Sequence, residues 1–186
     1  MKKFELTTEF ITNALGKKLF RIKALVEFGS VKAGELGGYA EKEENISQDG
    51  NAWVSGDARV YGNAWVSGDA RVYGDAWVHG NAKVFGNAEV YGDTEVSGDA
   101  KVSDNAEVSG DADYALVKGF GTEFRYTTFY RDKNKKIMVN CGCFHGDLEA
   151  FRKQVKETRS GKIAKEYLMI ADLMEYHFTS EDSSDE

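Results

Sequence analysis

Between Gly50 and Ser109 the chain repeats one pattern of apolar and polar positions every six residues: Gly, Asp or Asn, a small residue, a variable residue, Val, and a second variable residue. Ten such hexapeptides run from GNAWVS to DNAEVS without an insertion, and an eleventh, GDADYA at 110–115, keeps the turn but loses the valine. Valine recurs at every sixth position from 54 to 108, and the residue two before it is Ala in every case except Thr94. Side chains two apart on a strand point the same way, so each Val and Ala pair faces an interior and the residues flanking Val face outward. Gly supplies the corner because it takes positive φ without a Cβ clash, and the following Asx bonds to nearby backbone. An unbroken period of six predicts a parallel β-helix. With three walls of six residues, the regular part makes about 3.7 coils, a stack of roughly 18 Å at the strand spacing.

The flanks carry other periods. KKFELTTEF and KKLFRIKALVEF read as strands around Gly16, with Phe20, Ile22 and Ala24 alternating against Arg21 and Lys23. Leu36 lies 18 residues before Val54, which predicts that an irregular first coil begins near it. After the repeat, TEFRYTTFYRDKNKKIMVNCGCF reads as a hairpin with a polar DKNKK tip. Asp147 can N-cap a helix over DLEAFRKQVKET, and Ile163, Tyr167, Ile170 and Met174 recur at helical spacing in KIAKEYLMIADLMEYHF. The expected organisation is N-terminal strands over 1–33, the β-helix over 34–115 with its regular hexapeptides at 50–115, a hairpin and two-helix cap over 116–178, and a disordered acidic tail over 179–186.

Composition narrows the function classes. The 186 residues carry a formal net charge of -7, which argues against a binder of nucleic-acid phosphates because that role needs a basic stripe. No apolar run approaches a membrane span, and no signal-peptide core stands at the N-terminus. The two cysteines, Cys141 and Cys143, cannot build a disulfide framework and fit a reducing compartment, so a cytoplasmic protein is expected. Proline is absent, and the turns are therefore made by Gly and Asx.

The small–x–aliphatic pattern resembles the hexapeptide-repeat superfamily of left-handed β-helices, and the left hand is an implication of that resemblance alone. GELGGYAEKEENISQ before the repeat and CGCFHGDLEAF after it are similar to the flanks of bacterial and phage or prophage members labelled transferases or polymer-forming proteins. Acyltransferases of the superfamily use a histidine general base beside an extruded loop. Here the only histidine of the repeat is His79, and no loop is extruded. The carbonic anhydrases that share the coil hold zinc with three histidines, but His145 and His177 lie outside the repeat. Superfamily trimers pack wall against wall, which implies a closed homotrimer.

Sorting the outward slots by wall gives the candidate surfaces. Wall one shows Trp53 and Ser55, Arg71 and Tyr73, Glu89 and Tyr91, then Glu107 and Ser109. Wall two shows Arg59 and Tyr61, Trp77 and His79, then Glu95 and Ser97; wall three shows Trp65 and Ser67, Lys83 and Phe85, then Lys101 and Ser103. Exposed aromatics in such number mark contact surfaces. The densest cluster is Arg59, Tyr61, Trp77 and His79, in which Arg59 can stack on the Trp77 indole. Trp65, Phe85, Tyr73 and Tyr91 complete the expected binding or interface set. One corner is all Asp, at Asp57, Asp75, Asp93 and Asp111, an acidic rail suited to a basic partner. Cys141, Cys143 and His145 alternate on an expected strand end and are weak metal candidates that lack a fourth ligand. No cofactor is expected. The reading that follows is a non-enzymatic, homotrimeric binding protein acting on a host protein or small-molecule ligand, as a phage-type inhibitor of host defence would. An acyl-CoA-dependent acyltransferase and a structural or polymer-forming scaffold are the alternatives.

Overall fold

A computed structural model describes residues 2–179. The acidic segment 180–186, expected to be a disordered tail, lies outside the described residues. The chain divides into two compact units, Met1–Asp111 and Ala112–Glu186.

The first unit is a three-walled parallel β-solenoid of about four turns. It begins with three longer strands, β1 (Phe4–Thr12), β2 (Lys18–Ala24) and β3 (Leu36–Ala40). Ten two-residue strands follow: β4 (Trp53–Val54), β5 (Arg59–Val60), β6 (Trp65–Val66), β7 (Arg71–Val72), β8 (Trp77–Val78), β9 (Lys83–Val84), β10 (Glu89–Val90), β11 (Glu95–Val96), β12 (Lys101–Val102) and β13 (Glu107–Val108). Wall one is the sheet β4-β7-β10-β13, and wall three is β6-β9-β12. Wall two continues into the N-terminal strands as one six-stranded sheet, β1-β2-β3-β5-β8-β11.

Every valine from Val54 to Val108 is fully buried, and the paired alanines sit beside them. Thr94 occupies an alanine position at 0% exposure, and its hydroxyl donates to the Tyr91 carbonyl at 2.8 Å, which removes the cost of burying an unpaired polar group. At the corners the glycines adopt positive φ, for example +69° at Gly68, where a Cβ would stand 3.0 Å from the backbone N and O of Gly86 in the next coil. Glycine is required there by conformation and by stacking together.

The strand β3 begins at Leu36, which pairs with Lys23 of β2, and the register of the irregular first coil differs from the 18-residue expectation. Tyr39 and Ala40 pair with Arg59 and Val60, and Ile46 bridges Val66, so Ala40 takes the interior slot while Leu36 is exposed. This coil is incomplete, and side chains supply what its missing backbone would have donated. The Lys3 ammonium donates to the Gly50 and Ala52 carbonyls at 3.2 and 2.9 Å, and the Asn45 amide donates to those of Gly62 and Ala64 at 3.2 and 2.9 Å. Burial pulls Lys3 down to about 8, against the opposing charges of Asp49 and Asp69. Phe4 and Phe28 pack edge-on against Trp53, with ring centroids 6.4 and 5.4 Å away, and close the top of the coil.

The eleventh hexapeptide adds no rung. Without a valine it bends away as a 3-10 turn, Asp111–Asp113, and Tyr114 begins the second unit's sheet. That sheet is antiparallel in the order β14 (Tyr114–Phe120), β15 (Arg125–Arg131), β16 (Ile137–Cys141), β17 (Phe144–Asp147), so the expected hairpin is its middle pair. Helices α1 (Leu148–Thr158) and α2 (Gly161–Thr179) complete a core of Phe129, Val139, Phe151, Ile170 and Met174. Asp147 caps α1 by accepting the Ala150 N–H at 2.7 Å. No helix among the described residues is long and apolar enough to cross a membrane.

Candidate functional site

Stacked coils turn each outward slot into a ladder. On wall one, Trp53, Arg71, Glu89 and Glu107 are successive partners in register. Beside them Tyr73 stacks on Tyr91 at 5.0 Å and 3°. The ladders are cross-linked on a diagonal: the Tyr73 hydroxyl donates to Glu89 Oε2 at 3.1 Å and the Tyr91 hydroxyl to Glu107 Oε1 at 2.7 Å. Burial, the Glu89 bond and the surrounding negative charge of Glu89, Tyr91 and Glu107 push Tyr73 up to about 12.

A loop overhangs this wall. Phe28 and Val31 form an isolated antiparallel bridge around the turn at Gly29 and Ser30, and Val31 is 5% exposed. Between the loop and wall one lies a groove of about 670 Å³. The loop contributes Gly29, Ser30, Val31 and Glu35; the wall contributes Trp53, Ser55, Arg71, Tyr73 and Glu89; and the corner before the wall contributes Asn51 and Asp69. Arg71 reaches from the wall toward the loop, its Nη2 standing 3.4 Å from Ser30 Oγ. The groove thus combines hydroxyls, an amide, a guanidinium and carboxylates over an apolar floor.

The expected wall-two cluster forms in part. The Arg59 guanidinium lies 5.0 Å from the Trp77 ring centre, and His79 stacks on Tyr61 at 4.7 Å and 7°. His79 Nε2 also meets Glu95 Oε1 at 2.8 Å, the same diagonal as on wall one. Tyr61, however, is 8% exposed because Leu19 and Tyr39 of the N-terminal strands cover it, so its ring is not open to a partner. Trp53 is likewise buried, contrary to its expected place among the exposed aromatics. On wall three Trp65 is 41% exposed with the Lys83 ammonium 5.9 Å over it, and Phe85 is half-buried.

Asp57, Asp75 and Asp93 line one corner as exposed side chains, whereas the Asp111 side chain lies outside the described ones. The metal candidates are not brought together. β16 ends at Cys141 and β17 starts at Phe144, so a turn interrupts the expected alternation. Cys141 pairs with Phe144 and Asn140 with His145, which places His145 on the opposite sheet face from Cys141. The Cys141 thiol accepts from the Thr127 hydroxyl at 3.1 Å, and His145 lies 3.4 Å from the Tyr130 hydroxyl. No group of three His, Cys, Asp or Glu side chains among the described residues could hold a metal ion.

Sequence reasoning missed the overhanging loop and with it Ser30, Val31 and Glu35. It also weighed neighbours one coil apart and overlooked the diagonal, although Tyr or His followed by Glu sixteen residues later was visible at Tyr73, His79 and Tyr91. The model of the YdcK beta solenoid repeat matches residues 52–68 and 64–80, within the first three coils. No curated protein matches the chain.

Proposed function

We propose that the chain is a non-enzymatic binding protein that holds a small ligand in the groove between wall one and the Phe28–Glu35 loop. The observation that carries this reading is the groove itself, whose size falls within the range of small-molecule sites and whose polar groups converge from three segments. The coil belongs, on this proposal, to the hexapeptide-repeat superfamily, and the unbroken six-residue period is what supports that placement. The non-enzymatic part is supported by His79, which lies on wall two and is engaged by Tyr61 and Glu95. A phage-type inhibitory role would then consist of sequestering the ligand. Native mass spectrometry of protein purified from its host should show a bound small molecule that Tyr73→Ala and Arg71→Ala lose. Retention of the molecule by both variants, or a wild-type chain that carries none and responds to no member of a metabolite library, would falsify the reading.

A homotrimer is part of the proposal, supported by the exposed Trp65 on wall three. Light scattering at micromolar concentration should give three chain masses. A single chain mass withdraws the trimer and leaves the groove reading in place.

A further inference from the structure

Four charged side chains line the groove, the Arg71 guanidinium against the carboxylates of Glu35, Asp69 and Glu89. Among the described residues none of the four makes an ion pair. Arg71 has only its long contact to Ser30; Glu35 accepts the Lys32 N–H at 3.1 Å; Asp69 accepts the backbone and side-chain amides of Asn51 at 3.2 and 2.8 Å on one oxygen and feels the Lys3 charge; Glu89 accepts the Tyr73 hydroxyl. Each carboxylate retains acceptor capacity, and the guanidinium retains most of its five donors. The buried Trp53 and Val31 form an apolar backing, and charges beside such a surface interact more strongly than charges surrounded by water.

The balance of signs discriminates between ligand classes. A polyanion such as a nucleotide would face three carboxylates. A simple polyamine would leave Arg71 unpaired and add positive charge beside it. A molecule with one carboxylate and a surplus of cationic groups satisfies both. The planar fork of Arg71 matches a carboxylate in a two-bond arrangement, and the groove is larger than a single amino acid needs. Resting on the groove reading above, we propose that the ligand is a short basic peptide with a free C-terminal carboxylate, which pairs with Arg71 while its cationic groups meet Glu35, Asp69 and Glu89.

The test uses the full chain and three probes in calorimetry at low salt: the dipeptide Arg-Arg, its C-terminal amide, and AMP. Arg-Arg should bind on the order of tenfold tighter than the amide, and AMP should bind more weakly than either. Arg71→Met should abolish the gap between acid and amide, while Glu89→Gln should weaken both and preserve the gap. Arg71 is exposed, so its replacement leaves the coil intact, and circular dichroism checks this. Equal affinity for acid and amide, a gap that survives Arg71→Met, or no dipeptide binding at millimolar concentration overturns the proposal. Tighter binding of AMP overturns it too, yet leaves a small-molecule groove standing; the groove reading falls separately, on the copurification result.

Discussion

Asparagine and aspartate are interchangeable as turn formers at the corners but not as neighbours. Where Asn is present its amide bonds to the next coil, as from Asn51 to Asp69 at 2.8 Å and from Asn81 to Asp99 at 2.9 Å. The corner of Asp57, Asp75 and Asp93 has no amide to donate and stacks like charges instead. Asp75→Asn should therefore stabilise the coil, by about 0.5–1 kcal/mol. Urea unfolding at low salt would show it, and added salt should shrink the gain. Lys3 gives a pH signature. Held at about 8, it binds fewer protons in the folded chain than in the unfolded one up to its ordinary 10.5. Its penalty is thus present below about 8 and is relieved as pH rises, so stability should climb between pH 8 and pH 10. Tyr73, pushed to about 12, acts with the opposite sign above pH 10. Denaturation midpoints should show the climb flattened in Lys3→Met and the later fall reduced in Tyr73→Phe.

The corners set how far one rung tolerates change. Gly68→Ala forces a Cβ onto the Gly86 backbone at positive φ and should cost about 1–3 kcal/mol. Asp104 already adopts φ 58° where other corners have Gly, so Asp104→Gly should fall within about 1 kcal/mol of wild type. Chemical denaturation of the two variants separates them. The strands themselves were legible: valine and alanine at fixed spacing left only one face to bury, and the observed walls follow. The groove was not legible, for a reason visible in one stretch of chain. GNAWVSGDARVY occurs twice in succession, at 50–61 and 62–73, yet Trp53 is 6% exposed and Trp65 is 41% exposed. Tyr61 is buried under Leu19 and Tyr39, whereas its copy Tyr73 lines the groove. Identical local sequence carries no signal that distinguishes the copies; the difference comes from the N-terminal strands and loop, which cover one wall and overhang another. The hand of the coil likewise rested on resemblance, since repeat spacing is the same for either hand.

At the scale of the whole molecule, the two units differ in what holds them. The first depends on a column of valines between parallel strands, and its N-terminal end is satisfied by Lys3 and Asn45 in place of another coil. Contacts in it run mainly between adjacent rungs, as in other solenoids. The second has an ordinary mixed core in which Phe151 meets Phe129 and Tyr167 edge-on. Phe151→Ala should remove that packing and cost about 3–5 kcal/mol of the second unit's stability. Hydrogen exchange would read this as lost protection in α1 and β15.

The diagonal from Tyr73 to Glu89 gives the coil a phase, in the sense that a helical gear has one. Six extra residues after Gly74 would preserve every turn and every interior valine, yet would rotate Glu89 a third of a circle onto the next wall and leave Tyr73 facing a stranger. Only insertions of a full circuit, 18 residues, return each tooth to its own wall, whereas whole hexapeptides added below Glu89 leave the groove lining in place. Lengthening of this chain is therefore quantised: above Glu89 any step smaller than a whole circuit changes which residues the face under the loop presents, and below Glu89 the hexapeptide is the step that keeps every corner.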